Sequence, residues 1–458
     1  MVRLKQKSNK NSLSTRFLLI ISLLFLAAAA YGYVTYFEGE IPTIQGKDLP
    51  AYIGSKTVAS LSIADQKSGL RNIRIVVAQG DTEKEVFSKE FPRKGNGPIA
   101  GPKSEKVLVE LDPKSLGLQE GEAILKAQVR DFSFRGLLKG NLSEFAQPIV
   151  IDTKAPQLSI IHSERYIEPG GSGIVIYRVD DSVKHGVMFN GDFHPGFPLT
   201  DGSDNKYISY IALRYSAKTI SESTVFAEDA AGNRSVKGFI PELKDPHQKK
   251  DRINIPDSFL SRKIPEFEEH YPEMKGDLLQ KYLYANREVR EMNNQKIHDL
   301  CMNQTPKQLW SGRFLRMPGS SRAGFADHRT YYYNETAIDQ QVHLGMDIAS
   351  TQHAEIKAAG TGTVIFADYI GIYGNMVMLD HGQGVYSLYS HLSETNVTPG
   401  TSLNQGDRLG YSGMSGMAGG DHLHFSMLIN GIFVTPKEWW DQHWITVTID
   451  EPVSNAKF

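Results

Sequence analysis

From Phe17 to Phe37 the chain carries no charged residue, while residues 1–16 carry Arg3, Lys5, Lys7, Lys10 and Arg16 with no acid. As a helix rising 1.5 Å per residue, the uncharged stretch covers roughly 30 Å, enough to cross the hydrocarbon core of a bilayer. Basic flanks stay on the cytoplasmic side, so everything after Glu38 is expected outside. The reading is a basic cytoplasmic tail over 1–16 and a transmembrane signal anchor over 17–37. It gives a single-pass protein of the cell (inner) membrane, with its bulk in the periplasm or on the outer side. A cleaved signal peptide is the alternative, since Ala27 to Ala30 offer small residues to a signal peptidase. The apolar continuation through Tyr31 to Phe37 favours the uncleaved anchor.

Without the five N-terminal cations, 45 Lys and Arg face 52 Asp and Glu, a net charge of −7 with His neutral. A nucleic-acid binder carries a basic excess and clustered cations, so that class is excluded. The single cysteine, Cys301, rules out an intrachain disulfide. It is expected at a helix end as a buried, inert thiol.

The exported part reads as mainly β. Val58–Ile63, Ile73–Val77, Lys106–Leu111 and Ala123–Val129 alternate apolar and polar residues between Gly and Pro clusters. A second set of strands is expected at 158–161, 173–179, 187–190, 207–215 and 224–227. Val129-Arg-Asp131 followed by Asn141-Leu-Ser143 is matched by Ala227-Glu-Asp229 followed by Asn233-Arg-Ser235, a faint repeat of one unit. The second of these resembles the last strands of bacterial immunoglobulin-like domains. Two such β-sandwiches are expected, over 41–153 and 154–245. Their expected part is reach, holding the C-terminal half of the chain away from the membrane. From Asp257 to Cys301 the pattern turns helical, with Leu278, Leu279, Tyr282, Leu283, Val289, Met292, Ile297 and Leu300 as its stripe and Asp277 as a cap. Pro265 and Pro272 are expected to break the region before it. The helical linker is placed at 250–304.

Chemistry concentrates after residue 305. His343-Leu-Gly-Met-Asp347, Tyr389-Ser-His391-Leu and Asp421-His422-Leu-His424-Phe supply the residue types of a catalytic zinc site, which takes three N or O ligands and keeps one position open. His343, Asp347 and one of His422 and His424 suffice as ligands, leaving two His for the water and the substrate. The His-x-His lies in a strand-like run before an Asn430-Gly431 turn, and side chains at i and i+2 of a strand share a face. The approach from Ser412 to Asp421 has four Gly, which let backbone come close to a ligand. Tyr331-Tyr-Tyr333 are equally suited to lining a groove and to packing.

Around these motifs, residues from about Arg313 to Trp440 resemble the lysostaphin-type zinc metallopeptidases, a family of peptidoglycan endopeptidases. The resemblance extends to Arg322-Ala-Gly-Phe, His328-Arg-Thr-Tyr-Tyr-Tyr-Asn334, Gly360-Thr-Gly-Thr-Val364, the run Tyr373 to Gly382, and Gly431-Ile-Phe-Val-Thr-Pro436. Asp421 stands where many members have Pro or Thr. The resemblance implies an antiparallel β zinc-peptidase domain over 305–445, with Zn2+ held by His343, Asp347 and His424, and with His391 and His422 as the catalytic pair. It implies peptidoglycan as the partner and substrate, with cell-wall or division proteins as further partners. Two rivals stand beside this reading: a non-catalytic regulator of wall enzymes, and a zinc protease of exported proteins.

Overall fold

The computed structural model describes residues 11–457 except 48, 96, 200–203 and 246–248. Arg3, Lys5, Lys7 and Lys10 lie outside the described residues. The chain is mainly β, and it divides into two compact units. One runs to Ala155 and takes in Ala230–Asn233. The other holds Pro156–Asp229 and everything from Arg234.

The first unit opens with the helix Asn11–Tyr36. Its span Thr15–Tyr36 is long and apolar enough to cross a membrane, with mean hydropathy 2.3 and none of its apolar window buried. Two sheets come next. In one, Thr57–Ala64 is flanked by Thr43–Gln45 and Ser104–Leu111. The other runs Tyr52–Ile53, Leu142–Ile151, Gly121–Asp131, Leu70–Gln79, Thr82–Glu90. All neighbours are antiparallel except Tyr52–Ile53 with Leu142–Ile151. Alternate residues (Leu61, Ile63, Ile73, Ile75, Val107, Val109, Leu125, Val129) fill one core. The edge strand Thr82–Glu90 was not expected from the sequence. It is largely exposed and carries Glu83, Lys84, Glu85, Lys89 and Glu90, so no hydrophobic alternation marks it.

The second unit is built in layers. Lys184–Phe189, Ser223–Glu228 and their neighbours pack on a sheet ordered Phe197–Pro198, Lys206–Ala212, Ser172–Asp180, Gln157–Ser163. Val175, Tyr177, Val179 and Ile211 face the first of these layers. Ile174, Ile176, Ile208 and Tyr210 point the other way and share a core with Trp310, Phe425, Met427 and Trp439. The second β region is therefore fused to the C-terminal sheet, which revises the expectation that it only provides reach.

That C-terminal sheet has ten strands. Its main path is Ser320–Ala323, Met346–Ala349, Leu423–Ile429, Val385–Thr395, Gly374–Asp380, Gly362–Ile370, Ser402–Leu403. Its opposite face, with Met376, Met378, Tyr386, Leu388 and Leu428, is covered by Ile264, Phe267, Tyr282, Val289 and Ile297 of the helical segment. That segment begins as a strand: Lys250–Asn254 pairs in parallel with His328–Tyr333. The helices Asp257–His270, Leu278–Tyr284 and Arg290–Leu300 come after it, the last two joined by a π-helical turn, Ala285–Val289. Asp277 caps the second helix reciprocally with Gln280, at 2.8 and 2.9 Å. Pro265 does not break the first helix. An interior proline costs about 3 kcal/mol, while burying Leu260, Ile264 and Phe267 contributes about 1.5–3 kcal/mol each. Cys301 ends the third helix, fully buried.

Candidate metal centre and active site

The strand pairing assembles the site. Asp347 on Met346–Ala349 sits directly opposite His424 on Leu423–Ile429, and His424 in turn faces Ser390 on Val385–Thr395. His343 enters from the loop before Met346 and His422 from the end of the Gly-rich loop. His391 adopts φ +62°, left-handed backbone that a non-glycine residue holds only under constraint. The structure thus gathers all five residues singled out in the sequence, and each of His343, Asp347, His391 and His424 is buried.

Three atoms converge. His343 Nε2 lies 2.9 Å from Asp347 Oδ1 and 2.9 Å from His424 Nδ1, and His424 Nδ1 lies 3.0 Å from Asp347 Oδ1. Ligand atoms on a tetrahedral zinc stand ~3.3 Å apart, within a few tenths of an ångström of this spacing. The partners of the other ring nitrogens decide the chemistry. His343 Nδ1 donates to the Gly324 carbonyl at 2.7 Å. Ser426 Oγ donates its proton to the Leu344 carbonyl at 2.7 Å, so at 3.1 Å it can only accept from His424 Nε2. Both imidazoles therefore turn a lone pair toward one carboxylate oxygen. Two lone pairs and a carboxylate aimed at one point suit a cation. This His/Asp/His group has the ligand types and spacing that could hold a metal ion.

The second imidazole pair is oriented by backbone. His391 Nδ1 meets the Ser415 carbonyl at 2.9 Å and His422 Nδ1 the Gly420 carbonyl at 2.7 Å. Their rings stand 4.9 Å apart, and both present Nε2 to the cleft. The Gly-rich loop therefore acts largely through its carbonyls. Gly416 (φ +64°) is required for packing, since a Cβ there would come within 2.4 Å of Gly374 N. Lys263 Nζ donates to the Met414 carbonyl, and Gly416 N donates to Glu266 Oε1 at 2.5 Å, so the first helix clamps this loop. Asp421 accepts from Ser412 Oγ and from His353 N, which fixes the loop's end.

Burial would raise the Asp347 carboxyl, but His343 beside it, with the close contacts of His422 and His424, holds it well below the carboxylate range. Burial lowers His424 to about 4. Burial, then the neighbouring His422 and His424, pushes His391 well down, so it is neutral. Burial opposes protonation of His422 too, but its bond to Asp347 outweighs that and raises it.

Arg329 was quoted in the sequence only inside a motif. Its Nη2 donates to Asp347 Oδ2 at 2.9 Å, which steadies the carboxylate whose other oxygen faces the two imidazoles. Ser426 and Gly345 also went unread. A Cβ on Gly345 would lie 2.5 Å from His424 Nε2. Arg329, His343, Asp347, His391, His422 and His424 border a cleft of about 280 Å³ whose far wall is Ile255, Phe259, Tyr282 and Arg290 of the upstream segment. Of the three consecutive tyrosines, Tyr331 lines the cleft. Tyr332 stacks under Arg252, and the Tyr333 hydroxyl donates to Asp257.

Residues 341–436 match the family model described as peptidase family M23. This segment is a peptidase family M23 domain. Among relatives, the DD-carboxypeptidase/endopeptidase Mpg of Neisseria meningitidis serogroup B is 38% identical over 96 residues, 21% of this chain and 22% of that protein. The peptidoglycan DD-endopeptidase ShyC of Vibrio cholerae is 31% identical over 124 residues, 27% of this chain and 29% of its own length. The chain thus spans less than a third of these relatives. The solved catalytic domain of lysostaphin from Staphylococcus simulans is 25% identical over 27% of this chain and 92% of its own, with a TM-score of 0.23. The M23 match covers the His343–Asp347 motif, His391 and the His422–His424 pair, and leaves out the helices that wall the cleft.

Proposed function

We propose that the chain is a zinc-dependent endopeptidase that hydrolyses peptide cross-links of peptidoglycan, with its M23 domain outside a membrane crossed by the N-terminal helix. The observation that carries the proposal is the convergence of two imidazole lone pairs and one carboxylate oxygen beside two further imidazoles in a cleft. His343, Asp347 and His424 would hold the zinc. When bound, zinc supplies Lewis-acid chemistry, lowering the pKa of a water to ~7 and polarising a carbonyl. His391, neutral and pinned through Nδ1, offers Nε2 to take up a proton. His422, pinned the same way, offers its Nε2 to the developing oxyanion or to the leaving amine. Arg329, donating to Oδ2, holds the Asp347 carboxylate in place. Ile255, Phe259 and Tyr282 exclude water from the far side of the cleft and position the peptide.

The substrate class rests on the M23 domain and on relatives named for peptidoglycan or DD-endopeptidase activity. The test is to offer zinc-loaded protein two substrates: purified cross-linked muropeptides and an unfolded exported protein. Conversion of muropeptide dimers to monomers, with the protein substrate left intact, is the expected result. Cleavage of the protein substrate alone would support the general-protease reading. Inactivity on both, together with stimulation of a wall hydrolase, would support the regulator.

A further inference from the structure

A second cluster of oxygen ligands lies far along the sequence from the M23 domain, within the first unit. We propose that Glu38, Asp65 and Asp131 form a calcium site at the joint between the N-terminal apolar helix and the first β-sandwich. One oxygen from each carboxylate lies within 4.8 Å of the others. Asp131 is fully buried and Asp65 is 3% exposed. Among the described residues none of the three makes an ion pair, and Lys67 turns outward to the exposed Glu40.

The hydrogen bonds around the cluster leave a specific deficit. Asp131 Oδ1 accepts from Ser133 N and Asn141 N, and its Oδ2 from Asn141 Nδ2. Asp65 Oδ1 accepts from Lys67 N and Gly69 N. Asp65 Oδ2 is buried and has no hydrogen-bond partner. A buried carboxylate oxygen left bare beside two further carboxylates costs free energy unless a cation faces it. An all-oxygen set with no nitrogen or sulfur ligand suits a hard divalent cation. Calcium accepts irregular sets of carboxylates completed by carbonyls and water, whereas magnesium demands a near-ideal octahedron.

The position gives the site a purpose. Glu38 follows the apolar helix by two residues, and its carbonyl accepts from Ser133 Oγ at 2.8 Å and from Asn141 Nδ2 at 3.2 Å. Phe134 N donates to the Tyr36 carbonyl at 2.8 Å. The chain leaving the helix is thus stitched to the segment that follows Asp131. A cation binding Glu38 on one side and Asp65 and Asp131 on the other would lock that joint and fix how the sandwich stands on its anchor. Asp131 and Asn141 are the residues of the faint repeat for which the M23 chemistry has no use.

The test uses the full zinc-loaded chain in lipid nanodiscs, in resin-treated buffer near neutral pH. CaCl2 is titrated to about 10 mM, above the dissociation constants on the order of 10⁻⁴–10⁻³ M of extracellular calcium modules. One saturable calcium per chain is expected, weakened at least tenfold in Glu38→Gln and in Asp65→Asn. Calcium should raise the unfolding temperature of the wild type and not of Glu38→Gln. In calcium-free buffer Glu38→Gln should be at least as stable as the wild type, because it removes an uncompensated charge. If Asp65→Asn fails to fold, Glu38→Gln decides alone. Absence of saturable binding in the wild type, unchanged binding in Glu38→Gln, or magnesium binding as tight as calcium would each overturn the proposal.

Discussion

Replacing Ser426 by Ala tests the tautomer argument on which the metal centre depends. The Ser426 side chain is fully buried. It accepts from His424 Nε2 at 3.1 Å and donates to the Leu344 carbonyl at 2.7 Å. Alanine leaves both groups without those partners, which costs the fold about 1–3 kcal/mol. It also frees His424 to carry its proton on Nδ1, where Asp347 Oδ1 waits 3.0 Å away. That tautomer is stabilised by the carboxylate and cannot ligate through Nδ1. Loss of such an outer partner weakens metal binding by roughly 10–100-fold, about 1.4–2.8 kcal/mol. The assay is competition for zinc against a chromophoric chelator at neutral pH, with turnover measured at limiting and at saturating zinc. His391 and His422 are untouched, so turnover at saturating zinc should stay within several-fold of wild type, while turnover at limiting zinc falls with affinity. Zinc affinity within twofold of wild type, or activity lost and not restored by zinc, would refute the reasoning.

His343→Ala and Asp347→Ala should each lose bound zinc in elemental analysis, and full retention in both would remove these residues from the ligand set. Burial pushes the Glu438 carboxyl from 4.5 up to about 8, against hydrogen bonds from Ser172 N and Oγ that favour its charge. A carboxyl raised on folding binds its proton more tightly in the folded chain, so it subtracts stability progressively as pH rises from 4.5 to 8. Glu438→Gln should therefore raise the unfolding temperature at pH above ~8 and change it little near pH ~5; equal shifts at both would contradict this. A chain of residues 305–458 alone should aggregate or fail to retain zinc. It would expose the core face that Ile174, Ile176, Ile208 and Tyr210 cover, at about 1.5–3 kcal/mol each, comparable in sum to the ~5–15 kcal/mol that holds a domain together. A soluble, fully active fragment would show that this layer is dispensable.

The candidate site was legible in the sequence because metal and proton chemistry admits few residue types, and these stood at spacings that strands convert into shared faces. Asp347 opposite His424 needed only correct pairing of two short strands. What orients the imidazoles was not legible. The carbonyls of Gly324, Ser415 and Gly420 carry no side-chain signature, and Ser426 reads as one more small residue in an apolar strand. In the fold, strands with alternating faces declared themselves, such as Gly121–Asp131. The charged edge strand Thr82–Glu90 did not, because exposure on both faces erases the period. The fusion of the second β region to the M23 sheet did leave a trace. Gly173 to Tyr177 is almost continuously apolar, as a strand covered on both sides must be. Continuation of the helix through Pro265 was hidden, since it depends on the tertiary contacts of Ile264 and Phe267.

The central claim is most directly tested by titrating zinc into metal-free protein and measuring soluble, uncross-linked glycan strands released from purified peptidoglycan, with wild type and His391→Ala side by side. Wild-type release should rise linearly and level off at one zinc per chain, with new amino termini and no new reducing ends. His391→Ala should bind the same zinc and release products ~10²-fold more slowly or worse. Release without metal, release of glycan ends, or a His391→Ala rate equal to wild type would contradict the account.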